Sequence, residues 1–207
     1  MHSRQKKTKN TNYLGAMVNE DRADSNISQT FKTLIETKNK HGKKLIYCSL
    51  TSMKNKGDFN FIKKVIQSVA NKDSWLLIIS LGRPLNDDNP FKNPPKNVSI
   101  FSWVPQLYIL RNCDCSINHG GIHTINECIY FQIPMLIYSG KKYDQDGTTA
   151  RIIYHNLAIE GDKDMDDVPK IEEKINSVLE NELIKENLKK LKNQLNTYEA
   201  QKISPYL

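Results

Sequence analysis

The sequence predicts an α/β fold, a parallel sheet with helices on both faces. Three observations predict it. Short apolar runs of strand length alternate along the chain with segments whose apolar residues recur at helical spacing. Turn-forming stretches separate them, the longest being the Pro- and Asn-rich segment from Asn89 to Asn97. Chemically distinctive residues (Ser52, Trp103, His119 and Asp144) each stand just after an expected strand. In parallel sheets that is where ligands bind, beyond the carboxyl ends of the strands.

Residues 1–12 are polar and basic and are expected to be a disordered tail. Residues 13–43 read as a linker-like segment with one helix, from about Ser28 to Lys38, and residues 44–207 as the folded domain. Lys44 to Leu50 is a short apolar run and reads as a buried strand. Asp58 is placed to cap a helix whose inner face is Phe59, Ile62, Val65, Ile66 and Val69. Trp75 to Ile79 and Val98 to Phe101 are the next strands. Pro105 opens a short helix carrying Leu107, Ile109 and Leu110, and Cys115 to Asn118 is a fourth strand. Gly120 and Gly121 open a helix expected to turn Ile122, Ile125, Cys128 and Ile129 inward. Pro134 to Tyr138 is a fifth strand, Gln145 to Asn156 a helix, and Leu157 to Ile159 a short last strand. Two helices close the chain, one with Ile171, Ile175, Val178 and Leu179 inward, the other with Ile184, Leu188, Leu191, Leu195 and Tyr198.

Composition excludes several classes. No run of 18 apolar residues exists, so no membrane-spanning helix is expected. The basic N-terminus lacks the apolar segment of a secretory signal, which leaves the cytoplasm as the expected setting. The net charge of +7 is not interleaved with aromatic residues, so it reads as a solvated face and a basic tail rather than a nucleic-acid surface. Cys113, Cys115 and His119 do not have the spacing of a zinc site, and no second ligand pair follows. No metal is expected, and the cysteines, Cys48 and Cys128 included, read as buried free thiols.

The chemistry concentrates between Trp103 and Gln145. His119-Gly120-Gly121 lies where a strand becomes a helix. Glycines let a backbone approach a phosphate, and a helix N-terminus presents free N–H groups with partial positive charge. Thr124 adds a hydroxyl in the first turn, and Glu127, three residues on, shares its face and can accept from two vicinal hydroxyls. Trp103 at a strand end is a flat ring for stacking on a base, with Gln106 offering amide hydrogen bonds. Asp144 and Gln145 suit sugar hydroxyls. Taken singly, each has a plainer reading: a tight turn, a satisfied core histidine, a solvated Glu, a core Trp, a helix cap. Their order and closeness favour a sugar-nucleotide pocket.

These residues resemble the donor-binding half of the family 1 glycosyltransferases, the UDP-glycosyltransferases and their macrolide-glycosyltransferase relatives. The likeness runs from Tyr13-Leu14-Gly15 to Ile159 and includes Ile46 to Ser52, Trp103-Val104-Pro105-Gln106, His119-Gly120-Gly121 with Thr124 and Glu127, and Asp144-Gln145 with Arg151. It departs from the family pattern at Thr51, His123 and Thr148. The resemblance implies a Rossmann-like domain, the C-terminal half of the two-domain GT-B fold. It implies that Trp103 stacks on uracil, that Gln106 contacts base or ribose, and that Glu127 binds the ribose hydroxyls. Ser52, His119, Gly120, Gly121 and Thr124 would hold the diphosphate, and Asp144 and Gln145 the sugar.

The expected function is therefore donor binding for transfer of a hexose from a UDP-sugar to an acceptor hydroxyl. The UDP-sugar is a substrate, and no further cofactor is expected. In the family the catalytic base lies in an acceptor-binding domain that precedes this one. No catalytic residue is expected within this sequence, where His119 would only stabilise the leaving group. The alternative is a non-catalytic nucleotide-sugar-binding subunit that needs a partner acceptor domain. A sugar-nucleotide epimerase on the same fold is disfavoured by Asp144-Gln145.

Overall fold

The computed structural model describes residues 18–19, 27–50, 56–85, 90–140 and 145–200, without the side chains of 56–58 and 198–200. Its strands are β1 (Lys44–Ser49), β2 (Trp75–Ser80), β3 (Val98–Phe101), β4 (Cys115–Asn118), β5 (Met135–Ile137) and β6 (Ala158–Glu160). Its helices are α1 (Gln29–Lys40), α2 (Lys56–Val69), α3 (Gln106–Asn112), α4 (Ile122–Phe131), α5 (Gln145–Tyr154), α6 (Val168–Glu180) and α7 (Glu182–Ala200). Among the described residues no helix is long and apolar enough to cross a membrane.

The six strands form one sheet in the order β3-β2-β1-β4-β5-β6, and every pairing is parallel. This is the doubly wound Rossmann order. Strand residues alternate between two cores, as a period of two requires. Ile46, Cys48, Leu77, Ile79, Cys115 and Ile117 pack with Phe61, Ile62 and Val65 of α2 and Ile171, Ile175 and Val178 of α6. Leu45, Tyr47, Leu76, Ile78, Met135 and Ile137 face the opposite cluster, with Ile109 of α3, Ile125 and Cys128 of α4, Ile152 of α5 and Leu188 of α7. A strand buried on both faces has no polar side, which is why these runs read as continuously apolar.

Helix α1 belongs to the second cluster. Ile35 is buried there, and the Phe31 ring lies 4.8 Å from Phe101. The Lys38 ammonium donates to the Asn112 carbonyl at 2.7 Å and pairs with Asp114 at 3.0 Å. The helix that opens after β1 begins at Lys56, so Asp58 lies inside its first turn and is not its N-cap. That role fits Asp167 instead, whose carboxylate accepts from the Lys170 N–H at 2.9 Å at the start of α6. The closing strand is shifted one residue from its expected place, because Leu157 closes the turn after α5, its N–H donating to the Ile152 carbonyl. Tyr198 lies in α7, but its side chain is outside the described residues.

Candidate functional site

The sheet order puts β1 beside β4, although about seventy residues separate them in sequence. Helix α2, which follows β1, and α4, which follows β4, lie on opposite faces. The chain thus leaves β1 and β4 toward opposite faces, and doubly wound sheets bind ligands in the crevice at the carboxyl ends of such strands. His119 stands directly after β4 and hydrogen-bonds to the backbone of Ser49, the last residue of β1. It spans the two sides of the crevice.

The turn that follows is shaped by glycine. Gly120 has φ of +81°, in the left-handed region, and its N–H donates to the Asn118 side chain at 2.9 Å. A Cβ there would lie 2.6 Å from Thr149 Oγ1 and 3.2 Å from Ile137 Cγ2, so α5 packs directly onto the Gly120 backbone. Thr149 Oγ1 is buried with no hydrogen-bond partner. Gly121 is the N-cap of α4 and supplies no capping side chain. The first N–H groups of a helix have no partner within it, and here they face the crevice with the positive end of the helix dipole.

One turn along α4 is Glu127, 7% exposed, so the solvated reading does not apply to it. Gln106, the first residue of α3, connects it to the sheet. The Gln106 amide N–H donates to the Glu127 carboxylate, and its carbonyl accepts from the Tyr47 hydroxyl at 3.1 Å. Burial holds the Tyr47 phenol well above its ordinary value, which keeps it a donor. This chain fixes the amide orientation of Gln106 and holds the Glu127 carboxylate in place. Trp103, just before α3, is 60% exposed, so its ring face is open for stacking. Thr124 is buried on the same helix as Glu127.

Burial depresses the pKa of His119 below its usual 6.5, the hydrogen bond to Ser49 opposes this, and the positive charge of Lys163 adds to the depression. His119 is therefore neutral at pH 7. A histidine whose folded pKa lies below its unfolded value contributes stability that is present above pH 6.5 and lost as pH falls through the folded value. A plot of unfolding free energy against pH is expected to slope downward below about pH 6.5 in the wild type. The slope should flatten in His119→Gln. Equal slopes in both would show that another group governs it.

The other expected residues divide. Ser52 and Asp144 lie outside the described residues. Gln145 is the first residue of α5, and its side-chain carbonyl accepts from the Gly140 N–H at 3.1 Å. His123 and Arg151 are exposed. Ile122, expected in the core, is exposed. It is the first residue of α4, at the carboxyl edge, where the strands have ended and no sheet remains to cover it. All four cysteines are buried and free, and burial pushes the Cys48 and Cys128 thiols up to about 12. Tyr47 and Thr149 escaped the sequence reading. Tyr47 is one of several apolar-run residues, and nothing local distinguishes it. Thr149 had a signal in its place one turn after Gln145.

Residues 63–202 match the family described as erythromycin biosynthesis protein CIII-like, C-terminal domain. An uncharacterised UDP-glucosyltransferase of Bacillus subtilis, YdhE, is 30% identical over 105 residues, which is 51% of this chain and 26% of that protein. The oleandomycin glycosyltransferase of Streptomyces antibioticus is 30% identical over 76 residues, 37% of this chain and 17% of its own length. Among solved structures, the kitacinnamycin glycotransferase superposes with a TM-score of 0.69 at 23% identity, covering 76% of this chain and 40% of the other. The glycosyltransferase VinC, solved in complex with dTDP, gives 0.63 at 14% identity over 77% of this chain and 40% of its own. The matched part thus spans well under half of each relative.

Proposed function

The chain belongs to the erythromycin biosynthesis protein CIII-like C-terminal domain family, and from that premise we propose that it is the donor-binding domain of a glycosyltransferase that uses a nucleoside-diphosphate sugar. The observation that carries the proposal is the Tyr47–Gln106–Glu127 chain at the switch point of the sheet. It sets an amide and a buried carboxylate between an exposed Trp and a glycine-opened helix start. That order suits base, ribose and diphosphate in turn. UDP is the favoured nucleotide. The dTDP bound by VinC, which differs little in the base edge that Gln106 would read, makes dTDP the second choice.

In the assembled enzyme an acceptor hydroxyl, deprotonated by a base from the acceptor side, attacks the anomeric carbon. The bond to the diphosphate breaks, and the nucleoside diphosphate leaves with the electron pair. Inversion at the anomeric carbon is the expected stereochemistry. His119 and the α4 N-terminus stabilise the growing charge. Ser52 would join them at the diphosphate, and Asp144 with Gln145 at the sugar. His119 lies on the leaving-group side in this arrangement, so residues 1–207 produced alone are expected to bind donor without appreciable transfer. The cytoplasm is the proposed setting, in keeping with four unpaired cysteines.

Calorimetric titration with UDP, dTDP, ADP and GDP tests the reading. The pyrimidine diphosphates should bind at least about tenfold more tightly than the purine ones. Trp103→Ala should weaken UDP by about 1–3 kcal/mol, the usual worth of a base stacked on an aromatic ring, without shifting the melting temperature, because the ring is 60% exposed. Equal affinity for all four nucleotides would remove the base assignment.

A further inference from the structure

Tyr47 carries a hydroxyl into the buried run from Leu45 to Cys48, and its side chain is wholly buried. A phenylalanine would fill the same volume with no polar atom to satisfy, so the hydroxyl serves something beyond packing. Its partners stand at the carboxyl edge of the sheet. It donates to the Gln106 side-chain carbonyl at 3.1 Å, and the side chains of Ser49 and Ser80 hydrogen-bond to it. Ser49 and Ser80 are the last residues of β1 and β2 and pair in register. Ser49 also takes a hydrogen bond from His119 through its backbone. The end of β1 thus ties the arm that carries Glu127 to the arm that carries His119.

A glutamine amide has two ends of similar size and opposite sense, and its neighbours decide which way it faces. The Tyr47 hydroxyl donates to the carbonyl end of Gln106, and the N–H end donates to the Glu127 carboxylate. The reverse orientation would set a carbonyl against a carboxylate. Gln106 is half-buried and Glu127 is buried, so this arrangement is not exchanged for water without cost. Without the Tyr47 hydroxyl the Gln106 carbonyl loses its donor, the amide gains freedom to swing, and the tether on Glu127 loosens. The part of that change that passes through Glu127 falls on whatever the carboxylate holds.

We propose that the crevice selects ribonucleotide donors over deoxyribonucleotide ones, and that Tyr47 is the positioning residue that sets this selection, acting through Gln106 on Glu127. The proposal rests on the donor-binding reading above, which gives Glu127 the two ribose hydroxyls. A carboxylate accepts from two vicinal hydroxyls best when its plane is fixed relative to the sugar ring, and a tether to one of its oxygens fixes it. A site that hydrogen-bonds a substrate hydroxyl rejects the analogue lacking it far more strongly than an apolar pocket rejects a change of size.

The experiment titrates UDP and its dideoxy analogue, which lacks both ribose hydroxyls, into the 207-residue chain and into Tyr47→Phe. The ratio of the two affinities cancels contacts to base and diphosphate and isolates the ribose. The wild type should bind UDP at least about tenfold more tightly than the analogue. Tyr47→Phe should narrow that ratio about fivefold, with the loss falling on UDP. In a Glu127→Ala background Tyr47→Phe should leave the ratio where it is, because the residue it acts through is gone. Gln106→Met cuts the same chain outside the buried strand and should narrow the ratio at least as far, which keeps the test decisive if Tyr47→Phe does not fold. An unchanged ratio in folded Tyr47→Phe or in Gln106→Met overturns the proposal. Equal losses for UDP and the analogue in Tyr47→Phe overturn it too, since they assign the hydroxyl to the fold. A wild type that binds UDP and the analogue alike overturns the selection and leaves a nucleotide site standing. Failure of the wild type to bind UDP at all overturns the donor-binding reading itself.

Discussion

Glu127→Ala is expected to weaken UDP binding by about two orders of magnitude. A carboxylate that accepts from two ribose hydroxyls makes charge-assisted hydrogen bonds worth about 1.5–3 kcal/mol each. The structure adds a second cost. The Gln106 amide N–H donates to this carboxylate, so its removal leaves a half-buried donor unpaired and frees the amide to turn. The ligand-free chain should therefore lose about 1–3 kcal/mol of stability as well. Glu127→Gln separates the two effects. It retains an acceptor for Gln106 and the volume of the side chain but removes the charge. It should melt near the wild type and still bind UDP about tenfold more weakly. A dissociation constant unchanged in Glu127→Gln and in Glu127→Ala would assign the residue to the fold alone.

Gly120→Ala should do the larger damage to stability. Its φ of +81° is a conformation that costs an L-residue about 1–2 kcal/mol. The new methyl would also lie 2.6 Å from Thr149 Oγ1, an overlap of the kind that costs about 1–3 kcal/mol. Together they should lower the melting temperature by on the order of 10 °C. The turn that aims the α4 N–H groups would move with it, and UDP binding should fall in parallel. Thr149→Ala alone should be nearly neutral, because its hydroxyl is buried without a partner. Combined with Gly120→Ala it should restore the part of the loss due to the overlap and none of the part due to φ. Full additivity of the two changes would mean that α5 does not press on this turn.

The neutral His119 links these results. The α4 N-terminus attracts an anion through its unpaired N–H groups and dipole, and the histidine beside it is neutral without one. A bound diphosphate should make His119 easier to protonate, since a negative neighbour favours the charged imidazole. Stability with UDP present should therefore fall less steeply below pH 6.5 than stability without it.

Much of this was legible in the amino-acid sequence. The strands from Lys44, Trp75 and Met135 were visible as apolar runs, because a strand buried on both faces leaves no polar positions, and those from Val98 and Cys115 as short apolar-rich runs between turns. The helical faces of α2, α6 and α7 were visible because periodicity is a property of one element. The glycine-opened helix start and the Trp-to-Gln segment were visible because each is contiguous. What only the tertiary structure decided depends on pairs distant in sequence. Nothing in Lys44–Ser49 or Cys115–Asn118 says that β1 lies beside β4, yet that pairing creates the crevice. Tyr47, Gln106 and Glu127 meet across three elements. Thr149 reaches Gly120 from α5, and the turn between β6 and α6 is pinned by Tyr138, Lys64 and Lys174. Ile122 keeps the spacing of a core residue and is exposed because the sheet ends beneath it. Local pattern sets which elements form. The packing of two helical layers on a twisted sheet sets which of their ends meet, and it is there that the binding chemistry is assembled.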